Sequence, residues 1–101
     1  MAWVRLASKN DLGEGDVLGL EADEKQVALY CHEGRYYATS NVCTHQFALL
    51  SEGYFEDCQI ECPLHQGRFD IRTGEALCAP LAEGIRVFPV KVEDDQILAD
   101  L

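Results

Sequence analysis

Basic residues are scarce in this sequence of 101 residues. Eight lysines and arginines stand against eighteen aspartates and glutamates, so the formal net charge at neutral pH is -10. A surface with this charge repels phosphate groups, which argues strongly against nucleic acid and anionic membranes as partners. The acidity favours encounters with a basic patch on another protein, although a simple contribution to solubility is the alternative explanation.

Long hydrophobic runs are also missing. No apolar stretch approaches the roughly 20 residues that span a bilayer, and residues 1–5 lack the charged and apolar regions of a signal peptide. These absences predict a cytoplasmic protein. Windows with the i, i+3, i+4, i+7 spacing of a helix are absent as well, and only residues 47–50 are compatible with a single helical turn.

The cysteine count is odd. Five cysteines make a poor disulfide framework, and a reducing compartment keeps such thiols free. Cys31 continues an apolar strand face and Cys78 lies between two apolar neighbours, so both are predicted to be small core residues. Cys58 follows two acidic residues at a turn, where we expect it to be exposed and to remain protonated. We expect none of the three to be catalytic.

Apolar, β-branched and aromatic segments recur at short intervals between turns. They cover residues 3–6, 17–22, 26–32, 35–39, 69–71, 76–78, 85–92 and 96–99. Gly74 has the place of a left-handed residue in a hairpin loop, and Pro89 should lie at an edge or bulge because it cannot donate to a ladder. With 48% hydrophobic residues, the pattern predicts a single folded domain over residues 1–101, an antiparallel all-β sandwich or barrel.

Two short segments, here called the first and second box, carry residue types that bind metals. The first box, Cys-Thr-His, contains Cys43 and His45; the second, Cys-Pro-Leu-His, contains Cys62 and His65; sixteen residues lie between the two boxes. Each box supplies one thiolate and one imidazole. Such a ligand set suits an iron-sulfur cluster or zinc and does not suit calcium or magnesium.

A structural zinc site is one possible use of these four ligands, since zinc stabilises many small domains. Zinc fingers, however, typically pair cysteine with cysteine and histidine with histidine, with at least two residues between them. Here each box mixes the two types, and the first has a gap of one residue. A zinc-stabilised interaction module therefore stays as the less favoured alternative.

The spacing of the boxes resembles the Rieske 2Fe-2S signature, in which two cysteines hold one iron and two histidines hold the other. The sequence of residues 62–70, Cys-Pro-Leu-His-Gln-Gly-Arg-Phe-Asp, is similar to the second Rieske box well beyond its ligands. Further matching segments are residues 14–19, 28–30, 37–39, 60–62 and 76–80. Over essentially its whole length, the chain resembles the Rieske-type ferredoxins of bacterial aromatic-ring-hydroxylating dioxygenase systems, in particular the naphthalene-dioxygenase type.

This resemblance implies a Rieske fold of three antiparallel sheets, with residues 43–70 forming a small cluster-binding subdomain. It implies one 2Fe-2S cluster bound by Cys43, His45, Cys62 and His65, and residues 79–81 packed over it. It also implies an electron carrier in the catabolism of aromatic hydrocarbons. The carrier would accept single electrons from a flavin-containing, NAD(P)H-dependent ferredoxin reductase and pass them to a terminal oxygenase. For a small acidic shuttle we expect a monomer that contacts its partners transiently.

The reduction potential can be predicted relative to other members of the family. Two neutral imidazoles in place of two thiolates raise it above that of an all-cysteine cluster. The respiratory branch has a disulfide at the positions of Ala48 and Leu64, and cluster-bonding hydroxyls at those of Gly67 and Phe69. Hydrogen bonds to sulfur stabilise the reduced state, so their loss lowers the potential. We expect a value near the low end of the Rieske range, about -150 mV.

The chain is not expected to be an enzyme by itself. A terminal oxygenase needs a second iron site with two histidines and a carboxylate, and His32 is the one histidine outside the boxes. We expect His32 to be a solvated surface residue. The small Rieske-like subunit of an assimilatory nitrite reductase is the rival function.

Several carboxylates lie close in sequence to the boxes. They could steer a basic partner toward the boxes, or they could simply belong to a solvated turn. The four residues are Glu52, Glu56, Asp57 and Glu61.

Overall fold

The structure is a computed structural model that describes residues 3–42, 48–63, 67–77 and 84–101. Within these ranges no helix is long and apolar enough to cross a membrane. The strands are β1 (Trp3–Ser8), β2 (Val17–Ala22), β3 (Lys25–His32), β4 (Arg35–Ser40), β5 (Tyr54–Glu56), β6 (Gln59–Glu61), β7 (Arg68–Asp70), β8 (Val87–Phe88), β9 (Val90–Glu93) and β10 (Gln96–Asp100). Short 3₁₀ turns cover Lys9–Asp11 and Leu50–Glu52.

The strands form three antiparallel sheets. Their orders are β1-β10-β9, β2-β3-β4-β8 and β5-β6-β7, and every pair of neighbours is antiparallel. The predicted all-β architecture with three sheets is therefore confirmed. The single turn expected within residues 47–50 instead begins at Leu50, and Phe47 lies outside the described residues.

The four-stranded sheet lies between the other two and has a hydrophobic core on each face. Because successive side chains of a strand point to opposite faces, β3 contributes alternately to both cores. Its residues Val27, Leu29 and Cys31 belong to the first core, which also contains Ile97 and Ala99 of the β1-β10-β9 sheet. Its other face enters the second core, whose buried members are Ala28, Tyr30, Leu50, Cys58, Ile60, Cys62, Phe69, Ile71 and Ile85. The second core thus joins the central sheet to the β5-β6-β7 sheet.

Tight two-residue turns connect four pairs of successive strands. Both residues of each turn have positive φ, as type I′ hairpin loops require; they are Asp23-Glu24, Glu33-Gly34, Asp57-Cys58 and Asp94-Asp95. Three of these turns lie where the sequence predicts them. The fourth lies at the turn that was predicted to hold Cys58, but the strands on either side of it, β5 and β6, were not predicted.

Cys58 occupies the second position of the turn between β5 and β6, and its predicted exposure is wrong. The residue is only 4% exposed, because the turn folds the thiol into the second core. Burial raises the pKa of this thiol, partly opposed by the nearby Arg72. Cys31 is buried as predicted, whereas Cys78 lies outside the described residues.

Pro89 divides the segment that the sequence predicts as one long strand. Its first part is β8, in the central sheet, and its second part is β9, in the β1-β10-β9 sheet. Pro89 lacks an amide hydrogen, but its carbonyl accepts a bond from the amide of Asp100 at 2.9 Å. The proline therefore lies where the chain passes from one sheet to the next.

Candidate metal centre

Of the four predicted ligands, Cys62 lies within the described residues, while Cys43, His45 and His65 lie outside them. Cys62 directly follows β6, and its side chain is completely buried in the second core. Its amide donates a hydrogen bond to the carbonyl of Gly67 at 2.8 Å. This bond joins the two ends of the connection that carries the second box.

The hairpin of β6 and β7 fixes the direction in which that connection leaves the sheet. Ile60 pairs with Phe69, and both side chains are fully buried. On the other face, Glu61 pairs with Arg68, and their side chains form an ion pair of 3.1 Å. The second box therefore extends from a hairpin that is anchored on both faces.

The first box is joined to the central sheet by backbone contacts. Val42 and Leu49 form an isolated antiparallel bridge. The amide of Leu50 donates to the carbonyl of Asn41 at 2.8 Å, and the amide of Asn41 donates to the carbonyl of Gln26 at 2.9 Å. The chain thus enters and leaves the first box at adjacent points beside β3.

The segment predicted to pack over the cluster, residues 79–81, lies outside the described residues. The parts of the chain that precede and follow this segment lie side by side next to β7. There the amide of Ile85 donates a hydrogen bond to the carbonyl of Gly74 at 2.8 Å. Gly74 has the positive φ that was predicted, +80°, and a Cβ at this position would overlap the carbonyl oxygen of Ile85. Only glycine fits this close approach without strain.

An ion pair between Asp70 and Arg72, close in sequence to the second box, was not predicted. The carboxylate of Asp70 accepts bonds from the amide, Nε and Nη2 of Arg72 at 2.8, 3.1 and 3.0 Å. These bonds, led by those from the guanidinium, hold the pKa of Asp70 below its usual value. The pair therefore stabilises the turn that follows β7.

Acidic residues lie on the β5-β6-β7 sheet, from which the second box extends. A small cavity of about 100 Å³ is lined by Tyr54, Glu56, Asp57, Gln59, Glu61 and Arg68. The Tyr54 side chain is exposed, and its hydroxyl donates to Glu56 at 2.8 Å, which raises the pKa of the phenol. Three of the predicted steering carboxylates thus surround one cavity, and Glu52 is exposed at the end of the nearby 3₁₀ turn.

His32 is less exposed than predicted. Its side chain is 22% exposed, with Nε2 3.3 Å from a carboxylate oxygen of Glu33 and Nδ1 4.0 Å from one of Glu14. The ring also meets Phe55 edge-on at 6.4 Å. Glu14 accepts bonds from the amides of Glu33 and Gly34 at 2.6 and 3.1 Å, which lower its pKa. His32 is therefore a structural partner of the β3-β4 turn.

The residues of the boxes fit an iron-sulfur cluster chemically. Two thiolates and two imidazoles are soft and borderline donors, which suit iron in a 2Fe-2S cluster. The complete burial of Cys62 fits a thiolate ligand that is protected from water. Its attachment to an anchored hairpin fits a ligand whose direction must be fixed.

Comparison with known proteins gives the family. A family model described as the Rieske [2Fe-2S] domain matches residues 2–89. The ferredoxin component of the naphthalene 1,2-dioxygenase system of Pseudomonas putida is 52% identical over 99 residues, which cover 98% of this chain and 95% of that protein.

Solved structures of similar fold come from the same kind of system. The ferredoxin of carbazole 1,9a-dioxygenase from Nocardioides aromaticivorans IC177 has a TM-score of 0.92 and 36% identity, with 98% of this chain and 97% of that chain covered. A chain in a complex of reduced oxygenase and oxidized ferredoxin of carbazole 1,9a-dioxygenase has a TM-score of 0.90 and 31% identity, with 96% and 91% covered.

The rival function has structural relatives too. A protein from Mycobacterium tuberculosis, described as an NADH-dependent nitrite reductase small subunit, has a TM-score of 0.86, with 97% of this chain and 93% of that chain covered. At 24% identity this likeness shows a shared fold alone. The family match and the 52% identity to a dioxygenase ferredoxin are more specific evidence than this shared fold. The chain belongs to the Rieske [2Fe-2S] family.

Proposed function

We propose that this chain is the electron-carrying ferredoxin of a multicomponent aromatic-ring dioxygenase system. The observation that carries the proposal is the 52% identity, over 98% of the chain, to a ferredoxin component of such a system. Proteins of this kind carry electrons and do not catalyse the oxygenation themselves. The ferredoxin function is therefore preferred to a nitrite reductase subunit and to a zinc module.

The carrier group is one Rieske 2Fe-2S cluster, which supplies reversible one-electron chemistry when bound. We assign Cys43 and Cys62 to one iron and His45 and His65 to the other. The spacing of the boxes and the anchored, buried position of Cys62 support this assignment. Residues 43–70 form the cluster-binding subdomain of a single domain, since they include the whole β5-β6-β7 sheet.

The surroundings of Cys62 support a low reduction potential. Phe69 is fully buried in the core that contains Cys62, and its ring carries no hydroxyl. Gly67, whose carbonyl accepts a hydrogen bond from the amide of Cys62, has no side chain. Neither residue has a side-chain donor that could stabilise the extra negative charge of a reduced cluster. The proposed potential is therefore low for the family, about -150 mV.

The ligand assignment can be tested by substitution. Cys43→Ser, His45→Gln, Cys62→Ser and His65→Gln should each lower the iron and labile sulfide bound per protein and bleach the visible absorption. Cys31→Ser and His32→Gln are matched controls outside the boxes, and both should keep the cluster. A full cluster in any of the four box variants would remove that residue from the ligand set.

The proposed partners are a terminal oxygenase and an NAD(P)H-dependent flavin reductase in the cytoplasm. The matching chain of the complex of reduced oxygenase and oxidized ferredoxin is 31% identical to this one, which supports the oxygenase as a partner. We expect a monomer with a transient contact of less than about 1,200 Å², as is common in redox encounters. The carboxylates Glu56, Asp57 and Glu61, which line one cavity on the sheet from which the second box extends, would attract a basic surface.

Electrostatic steering can be separated from the general effect of net charge. The rate of electron transfer to the oxygenase should fall as salt rises, because salt screens exposed charges over about 10 Å at 0.1 M. The double variant Glu56→Gln/Asp57→Asn should flatten this dependence. Asp94→Asn/Asp95→Asn changes the net charge equally in a turn of the β1-β10-β9 sheet, on the other side of the central sheet, and should not. A flat response in the unchanged protein would remove steering from the proposal.

A further inference from the structure

Asn41 is a buried polar residue at the point where the chain leaves β4 for the first box. Its side chain is 1% exposed and is bonded at both ends to Ser51, which follows the box. Oδ1 accepts from the Ser51 amide at 2.7 Å, and Nδ2 donates to the Ser51 hydroxyl at 2.9 Å. Together with the backbone bond from Leu50 to Asn41 at 2.8 Å, these contacts form what we call the Asn41–Ser51 clamp.

In β2, a glycine leaves space for this clamp. Gly19 of β2 faces it, and a Cβ there would overlap the Ser51 hydroxyl and lie 2.8 Å from Ser51 Cβ and 2.9 Å from Asn41 Nδ2. The Ser51 hydroxyl could rotate away from such a group only by losing its bond to Asn41. The absence of a side chain at residue 19 is therefore a second, independent requirement of the clamp.

The two boxes differ in how their ends are held. The second box follows a hairpin with paired residues on both strands. Among the described residues that border the first box, Val42 and Leu49 form only an isolated bridge. The side chains of Asn41 and Ser51 thus supply hydrogen bonds that a strand ladder supplies at the second box. Since an unpartnered buried amide is costly, the two ends are firmly joined.

We propose that Asn41 is a positioning residue for the cluster. By joining the two ends of residues 42–50 through Ser51, it sets the direction in which Cys43 and His45 are presented. This role rests on the proposed function, in which those two residues are ligands. It differs from a general stabilising role, because it predicts effects on the cluster that equally destabilising changes elsewhere do not produce.

The test uses two mild variants, because Asn41→Ala could prevent folding. Ser51→Ala removes the hydroxyl that Nδ2 contacts, and Gly19→Ala displaces the clamp from β2. Both should release iron to a chelator about tenfold faster than the unchanged protein, as expected for a local loss of about 1.4 kcal/mol. Both should also shift or broaden the g-values of the reduced protein in electron paramagnetic resonance spectra.

The chain offers a matched control for each variant. Ser8→Ala, like Ser51→Ala, removes a serine hydroxyl; this one accepts a hydrogen bond from the Asn10 amide at 3.2 Å at the end of β1, in the sheet on the other side of the central sheet. Gly13→Ala adds a methyl group that would meet its nearest described neighbour at 3.6 Å, an ordinary contact. Both controls should leave the g-values and the iron-release rate unchanged, even where chemical unfolding shows an equal loss of stability.

The outcomes separate the two proposals. If Ser51→Ala and Gly19→Ala match their controls in g-values and in iron release, the positioning role is wrong and the proposed function stands. If the unchanged protein binds no 2Fe-2S cluster, the proposed function is wrong, and the positioning role is wrong with it.

Discussion

Ile60 and Ile97 provide a direct test of whether the cluster-binding subdomain depends on its own core. Both are isoleucines with no exposed surface, and both lie within a strand, Ile60 in β6 and Ile97 in β10. Ile60 packs in the second core with Cys62, whereas Ile97 packs in the first core on the other side of the central sheet. Substituting each by alanine creates a similar cavity in a different place.

The magnitude follows from burial. Replacing a buried isoleucine by alanine costs about 2–5 kcal/mol, from the lost transfer free energy and the cavity left behind. Because both sites are fully buried, Ile60→Ala and Ile97→Ala should lower the free energy of unfolding by similar amounts. Such losses are a large part of the roughly 5–15 kcal/mol that stabilises an ordinary domain. Ile→Val at the same positions should cost about 0.5–1.5 kcal/mol.

The assay combines chemical unfolding with the visible spectrum of the folded protein. Ile60→Ala should alter the spectrum and speed the release of iron under conditions in which the protein is still folded. Ile97→Ala should lower the unfolding midpoint without changing the spectrum. Equal spectral changes in both variants, or a change in Ile97→Ala alone, would refute the separation of the two cores.

Three further predictions concern residues near the second box. Gly67→Ser and Phe69→Tyr should raise the reduction potential, measured by redox titration, if the new hydroxyl reaches a sulfur; no change in either folded variant would count against the proposed tuning. Asp70 has a lowered pKa, so its ion pair with Arg72 stabilises the fold above the unfolded-state pKa of Asp70 and loses this effect as the pH falls through the folded-state pKa. Asp70→Asn should therefore lower the unfolding midpoint at neutral pH but not in acid, and an equal deficit at both pH values would exclude this linkage. Gly74→Ala should destabilise the protein by at least about 1 kcal/mol, because of its left-handed backbone and the overlap with a carbonyl oxygen; an unchanged unfolding midpoint would contradict it.

The sequence predicted most of the strands because turn residues of the expected types separate them. The turns at Glu33-Gly34 and Asp94-Asp95 lie between segments with clear strand composition, and both were found where expected. The turn at Asp57-Cys58 was expected as well, but the strands that it joins, β5 and β6, were missed. The strands on either side of it are only three residues long, too short for a reliable pattern.

Pro89 shows a second limit of sequence patterns. Its missing amide hydrogen predicted an interruption, and the interruption is present. That the two halves of the segment join different sheets could not be predicted, because β8 pairs with β4, which is distant in sequence, whereas β9 pairs with the next strand, β10.

For the metal centre, the motif predicted which residue types are present but not how their segments are supported. The Asn41–Ser51 clamp joins two common polar residues on either side of the first box. Neither residue belongs to a sequence motif that would indicate such a contact. The requirement for glycine at residue 19 depends on contacts between distant parts of the chain. Such supporting contacts depend on tertiary packing, and a single sequence carries no local signal for them.

The most direct measurement is an anaerobic reductive titration of the purified protein, followed by visible absorption and by analysis of bound metal. We expect a brown protein with two irons and two labile sulfides per chain, which is bleached by one electron at a potential near the low end of the Rieske range, about -150 mV. A colourless protein that contains zinc and does not respond to the reductant would contradict the proposed function while leaving the choice of ligand residues intact.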